Sequence, residues 1–141
     1  MKETLDHRDR FQDAGKLVLR LTVGLLVLLH GIPKLMSGAA GIVGLLEKSG
    51  LPGFFGYGVL IGEVLAPLLL IAGVWTRIAA LVIAVNMVVA VALVHPGQVF
   101  ALTEQGGWAL ELQGLYFFSA IAVALLGAGR YSVAGSEGRF N

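Results

Sequence analysis

Three side chains able to exchange protons or donate hydrogen bonds interrupt sequence that would otherwise dissolve in lipid. Glu63 is the only side chain charged at neutral pH between Phe54 and Trp75. His30 and Lys34 sit one turn apart on one face of an earlier apolar run. A charge near the middle of a bilayer costs about 2.5–3.5 kcal/mol on insertion scales. It persists where it faces protein or a water-filled cavity, generally with a partner. Histidine carries protons near neutral pH. An ammonium offers three hydrogen-bond donors. This chemistry suits a polar ligand held inside a membrane protein. Glu111 is a second carboxylate at an apolar helix end. His95, Gln113, Asn86 and Tyr116 are further contributors.

The surrounding sequence must supply the elements that hold these groups. The chain has 141 residues, 57% hydrophobic and 13% charged, with a net charge of +1. A soluble domain carries roughly 25% charged residues, so one membrane domain is expected. The near-neutral balance gives no basic field for nucleic acid. Cysteine is absent, which removes thiol exchange, thiolate metal sites, iron–sulfur clusters and covalent haem attachment. No metal site is expected. Any redox role then needs a bound cofactor or a partner subunit.

Four apolar runs of spanning length follow one another: Leu17 to Leu35, Phe54 to Trp75, Ile78 to Val94 and Trp108 to Ala128. None alternates with the period of a membrane β-strand. The expectation is an all-α, four-transmembrane-helix bundle. It divides into an N-terminal segment over 1–16, a membrane domain over 17–131 and a flexible tail over 132–141. Pro33 removes a helical donor from the carbonyl of Leu29, so a kink or an end is expected there. A signal peptide is the competing reading of the first run, disfavoured because the run carries His30 and Lys34.

Cations set the orientation. Lys2, Arg8, Arg10, Lys16, Arg20, Arg77, Arg130 and Arg139 fall on one side, while Lys34 and Lys48 fall on the other. Both termini are therefore expected in the cytoplasm of a bacterium, with the protein in the inner membrane. Arg20 and Arg77 read as anchors at the inner interface. Trp75 and Trp108 fit the aromatic belt. Residues 39–49 read as a short amphipathic helix in the first outer loop, stopped by Gly50.

On this topology His30, Lys34, Glu63, His95, Glu111 and Gln113 all fall in the outer half, from four separate helices. Glu63 lies roughly 13 Å from the outer end of its helix at 1.5 Å per residue. Each group also has a structural explanation. Lys34 can snorkel, Glu111 can favour the positive end of its helix, and Asn86 can join helices by hydrogen bonds. Glu63 can be half of a buried ion pair. Gly58, Gly62 and Ala66 form a small-residue row, as do Ala120, Ala124 and Ala128.

Arg20, His30-Gly31 and Lys34 resemble the opening motif of the DoxX family of small bacterial membrane proteins. Gly62-Glu63, Gly73, Thr76-Arg77, Glu111 and Tyr116 continue the resemblance, as does the ending Gly127-Ala128-Gly129-Arg130-Tyr131-Ser132. It covers about residues 16 to 133. One departure is that Val133 and Ala134 follow where the family often has an aspartate. The resemblance implies a four-helix integral membrane protein. It also brings a relative, the DoxD-type subunit of a thiosulfate:quinone oxidoreductase, and an association with redox systems.

Two functions stay open. The first is a redox-associated subunit that binds quinone or another small molecule in a pocket of His30, Lys34, Glu63 and Glu111, with electrons from a partner oxidoreductase subunit. The second is a non-catalytic scaffold that docks a partner enzyme or forms a homo-oligomer. A small-solute or lipid carrier ranks below both, because four helices without an inverted repeat suit alternating access poorly. A bis-His haem through His30 and His95 is disfavoured, since neither residue has a supporting motif.

Overall fold

A single long helix opens the chain. The computed structural model describes residues 2–38, 40–48, 50, 52–135 and 137–141, with residues 2–6 and 45 described for the backbone alone. Helix α1 spans Lys2–Met36. Of the segment expected over 1–16, residues 2–16 therefore belong to the same rod as the first span. The helix also runs through Pro33 and ends one turn later, where the Ser37 amide donates to the Pro33 carbonyl at 2.9 Å.

Helix α2 spans Ala40–Lys48, within the expected loop helix. Ala39 and Ser49, the bounds of that expectation, lie outside the described residues, as does the side chain of Leu45. Helix α3 spans Phe55–Ala72 and contains a π-helical turn at Ile61–Leu65. Gly73 and Trp75 take left-handed backbone conformations, and helix α4 follows over Thr76–Val94. A 3₁₀ turn at Pro96–Gln98 leads to a loop. That loop is pinned by the Trp108 indole donating to the Val99 carbonyl at 2.8 Å. Helix α5 spans Glu111–Leu126.

Three segments are long and apolar enough to cross a bilayer: His7–Met36, Phe55–Ala72 and Thr76–Val94. The fourth, α5, is apolar but has 16 residues, just short of the roughly 17–25 that a spanning helix uses. It starts at Glu111 rather than at Trp108, because Trp108 pairs with Leu102 in an isolated bridge and residues 109–110 form a turn. The protein is a helical membrane bundle with three long spans and one shorter apolar helix, and no strand occurs among the described residues.

Small side chains fill the centre. Val23 and Val27 of α1, Ala66 and Leu70 of α3, Ala80, Ile83 and Ala84 of α4, and Ala120 and Val123 of α5 form one buried cluster. Alanine at these crossings lets backbones approach, which is how helices gain packing where lipid gives no hydrophobic drive. The most extensive contact is between α4 and α5.

The basic end is tied by guanidinium groups. Arg20 is buried at 2% exposure and donates to the carbonyls of Ala128 at 2.9 Å and Tyr131 at 2.7 Å. Arg77 donates to the Ala124 and Leu125 carbonyls at 2.7 and 2.9 Å, satisfying the last turn of α5. Of the tail over 132–141, expected to be flexible, residues 132–135 and 137–141 fold back here. The Val133 amide donates to the Ala72 carbonyl at 3.0 Å. The Thr76 hydroxyl donates to Asn141 Oδ1 at 2.8 Å, at the start of α4. Ser136 of that tail lies outside the described residues.

Candidate functional site

Glu63 lies in the π-helical turn of α3 and is 4% exposed. An α-helical turn would pair its carbonyl with the amide of residue 67. Pro67 has no amide hydrogen, so the regular ladder cannot close there. The wider turn is the local answer, and such turns recur at functional sites.

Two glycines bring neighbouring helices against this turn. A Cβ on Gly31 of α1 would collide with the Glu63 carbonyl. A Cβ on Gly62 would come within 2.6 Å of the Asn86 side chain on α4. These close approaches deliver two donors to one carboxylate. Lys34 Nζ donates to Glu63 Oε1 at 2.6 Å and to Oε2 at 2.5 Å. Asn86 Nδ2 donates to Oε1 at 3.3 Å. The lysine side chain keeps 39% exposure while the carboxylate is buried. The pair is electrically neutral. That matters, because a lone buried charge costs several kcal/mol.

Above the pair lies a cavity of about 340 Å³. Its polar wall is made by His30, Lys34, Glu63, Asn86, His95, Gln113 and Tyr116. Apolar side chains, among them Ile42 and Leu46 of α2 and Val89 of α4, complete it. The cavity thus gathers residues from α1, α2, α3, α4 and α5, and His95 just past the end of α4.

The histidines have defined roles in this wall. His30 Nδ1 donates to the Leu26 carbonyl at 2.8 Å. A carbonyl only accepts, so Nδ1 holds a proton and the lone pair of the neutral ring sits on Nε2. The ring packs edge-on to Tyr116 with centroids 5.7 Å apart. His95 Nδ1 is buried and has no hydrogen-bond partner among the described residues. A buried polar atom without a partner costs about 1–3 kcal/mol. A ligand or water in the cavity would offset that cost.

Glu111 does not line the cavity. Its Oε1 accepts the Trp108 amide at 3.1 Å. It therefore folds back onto the segment that leads into α5, and a Cβ on Gly107 would meet it. Arg20 and Arg77 stand at the opposite end of the bundle, holding backbone carbonyls as described above. Sequence reasoning did not single out Ile42, Leu46 or Met87 as cavity walls. Ordinary apolar residues give no signal beyond periodicity, so only the packing of α2 over the site reveals them.

The family model described as DoxX matches residues 15–96. That stretch includes Arg20, His30, Lys34, Glu63, Asn86 and His95, and so most of the polar wall. No curated protein and no solved structure matches the chain.

Proposed function

The chain belongs to the DoxX family, and from that premise we propose that it is a redox-associated membrane subunit whose cavity binds a quinone-like head group. The supporting observation is the composition of the cavity wall. An ion pair already neutral, Lys34–Glu63, disfavours a charged ligand beside it. The free donors and acceptors suit a neutral ring bearing carbonyl oxygens. The third N–H of Lys34 and the second N–H of Asn86 can donate to one carbonyl. The phenol of Tyr116 and the amide of Gln113 can meet another.

Reduction of such a ring takes up two electrons and two protons. As they stand, the His30 Nε2 lone pair and the Glu63 carboxylate are proton acceptors, so in this reading each takes up a proton from water and passes it to a ring oxygen. The electrons come from the cofactor of a partner subunit. The basic end, with Arg20, Arg77 and Arg130, faces the cytoplasm, and the cavity lies in the outer half of a bacterial inner membrane. Helix α2 then rests in the outer interface as the roof of the site.

Binding is read by titrating a water-soluble benzoquinone into the purified protein in nanodiscs and following thermal unfolding. Wild type is expected to gain stability with concentration, as any ligand specific for the native state requires. Glu63→Gln is expected to lose that response. A dose response retained in full by Glu63→Gln would remove Glu63 from the ligand site. No response in either protein would favour the scaffold reading, with the ion pair as structural glue.

A further inference from the structure

The small-residue row of α3 is divided in its use. Gly62 is held against Asn86, and Ala66 is buried in the core. Gly58 is exposed, and a Cβ placed on it meets no atom within 4 Å. Packing among the described residues therefore does not explain this glycine. Glycine inside a helix costs about 1 kcal/mol relative to alanine. What its missing side chain does is open a groove.

The groove has a volume of about 620 Å³ and lies between α3 and α4. It follows α4 from Ile78 to Leu93, roughly 22 Å at 1.5 Å per residue. That is most of the roughly 30 Å hydrocarbon layer, and it runs in the direction of lipid chains. Asn86 is the only polar residue among those lining it. Asn86 is also the residue that donates to Glu63. Leu46, Val59, Asn86, Val89 and Leu93 line both the groove and the polar cavity. The two are neighbouring compartments with a common wall, one polar and one apolar.

We propose that the groove between α3 and α4 holds the hydrocarbon tail of the molecule whose neutral head group occupies the polar cavity, and that this ligand arrives sideways from the bilayer past Gly58. The proposal rests on the quinone-like reading of the cavity and adds the ligand's second half and its route. A second copy of the chain would also run along the bilayer normal, but a packed helix would leave the junction with the polar cavity at Asn86 without a purpose. A ligand with a polar head and one long chain uses both compartments at once. Phosphate-headed lipids fit less well, because an anion would sit beside the Glu63 carboxylate.

The test compares two probes in nanodiscs: a benzoquinone carrying a ten-carbon alkyl chain, and the same ring without it. Each is titrated against wild type, Gly58→Leu and Val85→Trp. Both substitutions fill the groove, and neither touches the polar wall. Gly58 has open space beside it, and Val85 is 62% exposed, so the fold is expected to survive. Comparing variant with wild type for each probe cancels the partitioning of the probe into lipid. The expected result is at least a tenfold weakening of the chain-bearing probe in both variants, with the chainless ring unchanged. If the chain-bearing probe binds the variants as it binds wild type, the tail groove is wrong while the cavity reading stands. If the variants instead convert a dimer to a monomer with probe binding intact, the groove belongs to a second copy and the proposal fails. If wild type binds neither probe, the cavity reading fails first and takes the groove with it.

Discussion

Glu63 and Lys34 share an ion pair but not its consequences. Glu63 is buried, whereas Lys34 keeps 39% exposure and a long apolar stem. Removing the carboxylate leaves an ammonium that can snorkel outward. Removing the ammonium leaves a buried carboxylate with Asn86 as its remaining donor. Lys34→Met is therefore expected to destabilise by about 3 kcal/mol, the lower end for a broken buried pair. Glu63→Gln is expected to cost clearly less, and the double variant should recover most of the Lys34→Met loss. Thermal unfolding in one detergent, across the four proteins, checks the ordering; equal losses in both single variants would contradict it. Glu63 stood out in the sequence because a charge inside an apolar run has few explanations. Glu111 looked equivalent and is not. A carboxylate at an N-terminal turn can point inward or fold back onto the loop before its helix, and only the Trp108 amide shows which.

The elements decide whether these side chains meet. The four apolar runs were legible because spanning length and hydropathy are properties of local sequence. The π-helical turn at Ile61–Leu65 was not, although Pro67 and its freed carbonyl were visible. A proline permits a kink, an end or a widened turn, and tertiary contacts choose among them. Here Gly31 and Gly62 allow α1 and α4 to press against the turn. The two exposed and buried glycine environments give opposite expectations for one substitution. Gly31→Ala forces a methyl into the Glu63 carbonyl and is expected to cost about 1–3 kcal/mol. It should also weaken quinone-dependent stabilisation by moving Lys34 off its partner. Gly58→Ala meets open space and is expected to be neutral or to stabilise by up to about 1 kcal/mol. Chemical or thermal unfolding of the two variants reads the sign directly, and a costly Gly58→Ala would show that this face is packed in the membrane.

For the whole molecule, charge asymmetry is the feature from which an orientation is expected. Composition and the cation tally were enough to expect a membrane domain with a basic side, but not the path of residues 132–135 and 137–141. That path depends on the distant pairing of Thr76 with Asn141 and of Arg20 with the Tyr131 carbonyl, and neither leaves a periodic trace. The orientation is testable cleanly because the chain has no cysteine. In intact spheroplasts a membrane-impermeant maleimide is expected to label Gln105→Cys, and Val133→Cys only after lysis. The reverse pattern would put the cavity on the cytoplasmic side. The central claim, that a polar cavity built on Glu63 holds a small neutral ligand, is met most directly by native mass spectrometry. Wild type and Glu63→Gln would be released from nanodiscs formed with native membrane lipids and quinones. The account predicts a quinone-sized adduct on wild type that is lost in Glu63→Gln while the oligomeric state is unchanged. Bare protein in both samples, or an adduct that survives the substitution, would contradict it.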